Sequence, residues 1–178
     1  LAAIDPTPIK GSGLRVLIDA NNGTGALVDP ILMDRLGIEY EIMNSCPDGR
    51  FAHDPEPLKA NLSGLIERLR QGKFDIGFVQ DADADRLVIL AGNGDFIGED
   101  YSLAFCVDYI LSQIKEDKKV VVVNLSTSMV IEWVAGKYNA TVEYTKIGEP
   151  NVTAKLKETK AQVGGEGNGG VIYPKVGW

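Results

Sequence analysis

No apolar run in this sequence reaches the roughly 20 residues that a membrane-spanning helix requires, so no membrane association is expected. Only two cysteines occur, Cys46 and Cys106, far apart and without Cys-x-x-Cys or Cys/His spacing. That argues against a disulfide scaffold and a zinc site, and makes a reducing, cytoplasmic setting the simpler expectation. Basic residues are outnumbered, 18 Lys+Arg against 25 Asp+Glu for a formal charge of -7, which argues against a nucleic-acid partner held by phosphate neutralisation. Histidine is nearly absent: His53 is the one example, in a Pro-rich loop with no visible partner, and a surface role is expected for it. The stretch Leu1 to Lys10 has neither an initiating Met nor the charged and apolar segments of a signal peptide, so the sequence reads as a piece of a longer protein.

What is present is an ordinary globular composition, 44% hydrophobic and 24% charged over 178 residues, enough for one large or two small domains. Leu14 to Asp19 is a short apolar run broken by Asn21-Asn22-Gly23, a buried strand ending in a turn. A helix over Pro30 to Leu36, closed by Gly37, leads into the alternating strand Ile38 to Ile42. Leu58 to Arg70 places five aliphatic residues on one helical face, Phe74 to Val79 is the next strand, and Gly92-Asn93-Gly94 marks a hairpin. The order then recurs: strand Lys119 to Asn124, helix Met129 to Lys137, strand Ala140 to Tyr144, helix from Pro150, a short strand at Gln162-Val163, a glycine-rich loop and the strand Val171 to Tyr173.

This recurrence predicts an α/β protein of two tandem three-layer α/β domains with mixed sheets, residues 1–115 and 116–178, the boundary following the amphipathic stretch Tyr101 to Ile114. The second domain is expected to be truncated, because no helix follows its last strand to cover the other sheet face. Apolar surface near Val171 to Trp178 should then be bare and favour self-association.

Two stretches carry chemistry. Asp81-Ala82-Asp83-Ala84-Asp85-Arg86 follows a strand and sets carboxylates at i, i+2 and i+4, on one side of an extended loop. Two carboxylates 4 Å apart repel by about 4 kcal/mol at an effective dielectric near 20, so convergence of three favours a hard cation, best matched by Mg2+. An EF-hand does not fit, since its sixth and twelfth positions would be Arg86 and Gly92. Arg86 is a fork donor suited to phosphate.

Gly165-Glu166-Gly167-Asn168-Gly169-Gly170 satisfies G-x-G-x-x-G, but a strand rather than a helix is predicted to follow, which removes the dinucleotide reading. Glu166 and Asn168 remain as a carboxylate and an amide able to meet sugar hydroxyls, with a plain glycine hairpin as the alternative. Asn21 to Gly25 lacks the Lys-Ser/Thr of a P-loop and reads as turn chemistry.

Together, Val79 to Leu87, Gly148-Glu149-Pro150-Asn151-Val152 and Gly164 to Gly170, with Asp48-Gly49-Arg50 and Pro55 to Leu58, resemble the α-D-phosphohexomutases over nearly the whole chain. That family comprises phosphoglucomutases, phosphomannomutases and phosphoglucosamine mutases, with four domains around one cleft. The chain looks like the second and most of the third. The resemblance implies that Asp81, Asp83 and Asp85 bind Mg2+, that Arg86 contacts phosphate, and that Glu166 and Asn168 belong to a sugar-recognition loop. Lys146, Gly148 and Glu149 would line the hexose phosphate, Glu149 standing where many members carry histidine. The Gly-Asn-Gly-Gly form of the loop looks more like phosphoglucosamine-mutase relatives. The family's phosphoserine and its fourth-domain phosphate loop match no segment here, so the chain alone is expected to be inactive without domains I and IV. A non-catalytic metal- or sugar-phosphate-binding module is the competing reading. A nicotinamide-dependent oxidoreductase is not expected.

Overall fold

The computed structural model describes residues 5–178, which form two compact units, 5–98 and 99–178; the first four residues of the expected first domain lie outside the described part. The first unit runs β1 (Arg15–Asp19), α1 (Gly25–Leu36), β2 (Glu39–Met43), a 3-10 turn (Lys59–Asn61), α2 (Ser63–Gln71), β3 (Ile76–Gln80) and β4 (Leu87–Ala91). Its sheet order is β2-β1-β3-β4, with β1 parallel to β2 and β3, and β4 antiparallel to β3. Alternation along β1 sends Val16 and Ile18 to Met33 and Leu36 of α1, and Leu17 to the opposite face with Leu65 and Leu69 of α2. Both faces of a short strand are therefore apolar, as a buried parallel strand requires.

The second unit contains α3 (Glu99–Ser112), β5 (Val120–Asn124), α4 (Val130–Lys137), β6 (Thr141–Thr145), α5 (Glu149–Thr159), β7 (Val163–Gly165) and β8 (Val171–Ile172). Its order, β6-β5-β7-β8, repeats the first unit strand for strand. The tandem mixed sheets expected from the recurring pattern are what the chain forms.

Two expectations are corrected. The division falls between Gly98 and Glu99, not within Lys115 to Lys118. Helix α3 belongs to the second unit because its buried Leu103, Val107 and Leu111 pack with Val121, Val123 and Val163 of that unit's sheet. The same helix overturns the bare-face expectation: α3 and α4 cover one face, while Val152 and Leu156 of α5 cover the other with Val120, Val122 and Ile172; only Val176 and Trp178, beyond the last strand, stay exposed among the large apolar side chains expected to be bare there. The premise for self-association through an uncovered sheet is gone.

Local departures have local causes. Helix α1 begins five residues before Pro30, which therefore sits inside the helix instead of opening it. The Leu58 to Arg70 segment splits into a 3-10 turn and α2, leaving Leu58 exposed. The Gly92-Asn93-Gly94 hairpin forms, with the Ala91 amide donating to the Asp95 carbonyl at 2.9 Å.

Candidate functional site

In an open α/β sheet, ligands bind beyond the carboxyl ends of the strands, where neighbouring connections diverge. In the first unit that point lies between β1 and β3, and the loops there are Ala20 to Thr24 and Asp81 to Arg86. One ligand oxygen from each of Asp81, Asp83 and Asp85 lies within 4.8 Å of the others. That is near the roughly 4.2 Å span across an octahedral ion with 2.1 Å bonds, so the all-oxygen donor set suits a small hard cation.

The convergence does not come from an extended loop, as the i, i+2, i+4 spacing suggests. The Ala84 amide donates to the Asp81 carbonyl at 3.2 Å, and Ala84 itself sits at φ 64°, a left-handed conformation that folds the triad into a turn. Asp81 is buried, and its Oδ1 accepts from the Arg86 amide at 3.1 Å; Asp83 and Asp85 are exposed. The Arg86 Nε lies 3.6 Å from Asp81 Oδ2 and 3.8 Å from Asp85 Oδ1, so the guanidinium sits beside the carboxylates. Gln80, one residue before, is tied to α1 by donating its Nε2 to Asp29 Oδ1 at 3.0 Å.

Burial pushes the Asp81 carboxyl up to about 6, with the charges of Asp85 and Asp83 adding and the Arg86 amide opposing. A raised carboxyl binds a proton in the folded state between its ordinary value and about 6, so this group's stabilising contribution is present at low pH and is lost as pH rises through about 6. Cation binding runs the other way, because the proton competes for the same oxygen. The Asp81 proton should therefore make Mg2+ affinity rise as pH climbs through about 6, which calorimetric titration across pH 5 to 7 checks.

The turn after β1 supports the acidic loop. The Ala82 carbonyl, between the first two aspartates, accepts from the Thr24 amide at 3.0 Å and from Thr24 Oγ1 at 3.4 Å. A Cβ on Gly23 would lie 2.3 Å from that carbonyl oxygen. Gly23→Ala is therefore expected to displace the loop and cost about 1–3 kcal/mol, read as a lowered midpoint in chemical denaturation.

His53, expected at the surface without a partner, is corrected. Its ring is half-buried, with Nε2 3.3 Å from Oδ2 of the buried Asp19 and Nδ1 2.8 Å from the Asp54 carbonyl. Asp19, Asn21, Asn22 and Asn44 form the network around it. Their partners lie 24 to 34 residues away, so sequence pattern alone gave no sign of the network beyond the turn-forming Asn-Asn-Gly.

In the second unit the equivalent position lies between β5 and β7. Glu166 directly follows β7, and its Oε1 accepts from Asn124 Nδ2 at 2.6 Å and from the Gly148 amide at 2.8 Å. Asn168 Nδ2 reaches Glu166 Oε2 at 3.5 Å, and its Oδ1 accepts from the Gly170 amide at 3.1 Å. The structure thus brings Glu166, Asn168 and Gly148 together. Lys146 and Glu149 are exposed on the approach to α5, Glu149 in that helix's first turn. The loop returns into strand β8, which denies it the helix that a dinucleotide fingerprint needs. A Cβ on Gly167 would lie 2.4 Å from Asp100 Oδ1 and 3.1 Å from the Thr127 Cα, so a side chain there would have to displace the Asp100 carboxylate, which itself accepts from the Ser128 amide.

Comparison with known proteins bears on the two domains. Residues 1–94 match phosphoglucomutase/phosphomannomutase alpha/beta/alpha domain II, and residues 98–177 match alpha/beta/alpha domain III. The chain is 37% identical over 174 residues to a Methanopyrus kandleri protein named "Probable phosphoglucosamine mutase", covering 97% of this chain and 38% of that one. It is also 37% identical over 172 residues to a phosphoglucomutase/phosphomannomutase of Thermococcus kodakarensis, covering 96% and 37%. A crystal structure of a phosphoglucomutase/phosphomannomutase family protein from Burkholderia thailandensis superposes with a TM-score of 0.84 at 28% identity, covering 94% of this chain and 37% of that one. The chain spans less than two fifths of the length of these relatives. Two adjoining domain matches, in order and over nearly every residue, place the chain in the phosphoglucomutase/phosphomannomutase family.

Proposed function

We propose that the chain is the metal-binding and sugar-recognising portion of a cytoplasmic phosphohexomutase, which moves a phosphoryl group between the 1- and 6-positions of a hexose. The observation that carries this reading is the convergence of Asp81, Asp83 and Asp85 in a turn beside Arg86, at the strand ends where α/β sheets take their ligands. These three carboxylates would hold Mg2+, which when bound supplies charge neutralisation for a phosphoryl group in transit.

The chain's own residues bind and orient. Arg86 offers fixed N–H donors to a phosphate oxygen. Glu166, with Oε1 already taken by two N–H donors, presents Oε2 to a sugar hydroxyl, and the Asn168 amide donates beside it. Gly148, Lys146 and Glu149 complete the substrate-facing set, with Lys146 available to a phosphate. The phosphoserine donor belongs to the first domain and a further phosphate-binding loop to the fourth domain of the parent protein, so this chain alone is expected to be inactive.

Turnover of glucosamine, mannose and glucose 6-phosphates by the full-length protein, followed side by side by phosphorus NMR, tests the reading. Conversion of at least one to its 1-phosphate is expected. Binding of all three without conversion would favour a non-catalytic sugar-phosphate module.

A further inference from the structure

The acidic loop is not held by its own residues alone. Ala82, the residue between two of the proposed ligands, rests its carbonyl on Thr24 and its backbone against Gly23. Gly23 and Thr24 end a turn whose preceding residues, Asn21 and Asn22, take φ values of 46° and 54°. Asparagine is one of the few residues besides glycine that enters this left-handed region readily, and here both side chains are tied down by the surroundings.

The surroundings here are specific. Asn21 is wholly buried, and its Oδ1 accepts from the Ala52 amide at 2.9 Å and the His53 amide at 3.1 Å, while its Nδ2 donates to the His53 carbonyl at 3.3 Å. Asn22 Nδ2 donates to the Arg50 carbonyl at 2.7 Å, and its Oδ1 accepts from the Cys46 amide at 3.1 Å. Asp19 Oδ1 accepts from the Asn21 amide and from Asn44 Nδ2, and Asp19 Oδ2 faces His53. One left-handed Asn-Asn turn thus carries the loop around residues 46–53 on one side and the acidic loop on the other.

We propose that Asp19 and His53 are positioning residues for the cation site, acting through the Asn21–Thr24 turn on the Ala82 carbonyl. This rests on the proposed metal site and extends it to residues that touch no ligand.

The chemistry of the pair makes the positioning sensitive to pH. Both His53 ring nitrogens face acceptors, the Asp19 carboxylate and the Asp54 carbonyl, so only the doubly protonated imidazolium satisfies both. Asp19 from β1 and Asp54 from the same loop are the charged groups that face the ring, and their bonds and charges hold it above its ordinary value against the cost of burial. For Asp19, burial pushes upward, but the bonds from His53, Asn44 and the Asn21 amide outweigh it and keep the carboxyl ionised. With His53 raised, its contribution is complete below the ordinary histidine value and is lost as pH rises through the folded one.

Mg2+ affinity of the full chain, measured by calorimetry from pH 5 to 9, and the amide shifts of Ala82 to Asp85 test the proposal together. Wild type should lose about tenfold in affinity on the alkaline side as His53 deprotonates, opposite in direction to the acid limb set by Asp81. His53→Gln should bind about tenfold more weakly near neutrality and show no alkaline limb. The amide shifts in wild type, which need no variant, should show a step with the midpoint of the His53 ring.

A flat alkaline affinity profile in wild type together with unaltered binding by His53→Gln, while Asp83→Ala abolishes binding, would overturn the positioning role and leave the metal site standing. Undiminished Mg2+ binding by Asp83→Ala would instead remove the metal site. With no cation site left to position, that result overturns the positioning role as well, whatever the amide step shows.

Discussion

Asp83→Ala is expected to lower kcat/KM of the full-length protein in the proposed mutase reaction by about 10²–10³-fold while leaving the fold intact. Asp83 is exposed, and removing it relieves repulsion within a carboxylate triad whose oxygens lie within 4.8 Å. Thermal stability without metal should therefore hold or rise slightly, by about 0–1 kcal/mol. Asp81 is the poorer choice for this experiment, because it is buried and accepts the Arg86 amide, so its loss would disturb the turn as well as the ion. Steady-state kinetics paired with a thermal melt separates the two effects: lost turnover with unchanged melting is the signature of a ligand. A variant that both melts early and turns over slowly would make Asp83 a structural residue.

Glu166→Gln is the second large effect. Its amide oxygen can still accept from Asn124 Nδ2 and the Gly148 amide, so the loop geometry survives. What disappears is the charge and the second acceptor proposed to meet the sugar, worth about 1.5–3 kcal/mol at a desolvated contact, or roughly one to two orders of magnitude in kcat/KM. Mg2+ affinity should not change, since no ligand is touched. Glu166→Ala adds a structural penalty of about 1–3 kcal/mol by leaving two donors unpaired. Wild-type kinetics for Glu166→Gln on every hexose phosphate would reduce the loop to a glycine hairpin.

Much of this was legible because the signals are local. Leu14 to Asp19 and Lys119 to Asn124 read as strands from their apolar runs, and they hold Arg15–Asp19 and Val120–Asn124, internal strands of the two sheets. The acidic triad was visible in its spacing, although the turn at Ala84 was not: nothing in alanine announces a left-handed residue. The unit boundary was misplaced because α3 presents apolar residues in quick succession and sequence does not say which sheet they meet. Partners far apart in sequence, such as Asp19 with His53 and Glu166 with Asn124, leave no periodic trace. A lone histidine in a Pro-rich loop gave no hint of a buried aspartate waiting 34 residues earlier.

The central claim, a cation site at Asp81, Asp83 and Asp85, is tested most directly by titrating Mn2+ into the chain at pH 7.5 and following the free ion by electron paramagnetic resonance, with Mg2+ as competitor. The account predicts one saturable site that Mg2+ displaces and that Asp83→Ala or Asp85→Ala weakens at least about tenfold. Binding of equal strength in wild type and both variants would contradict it.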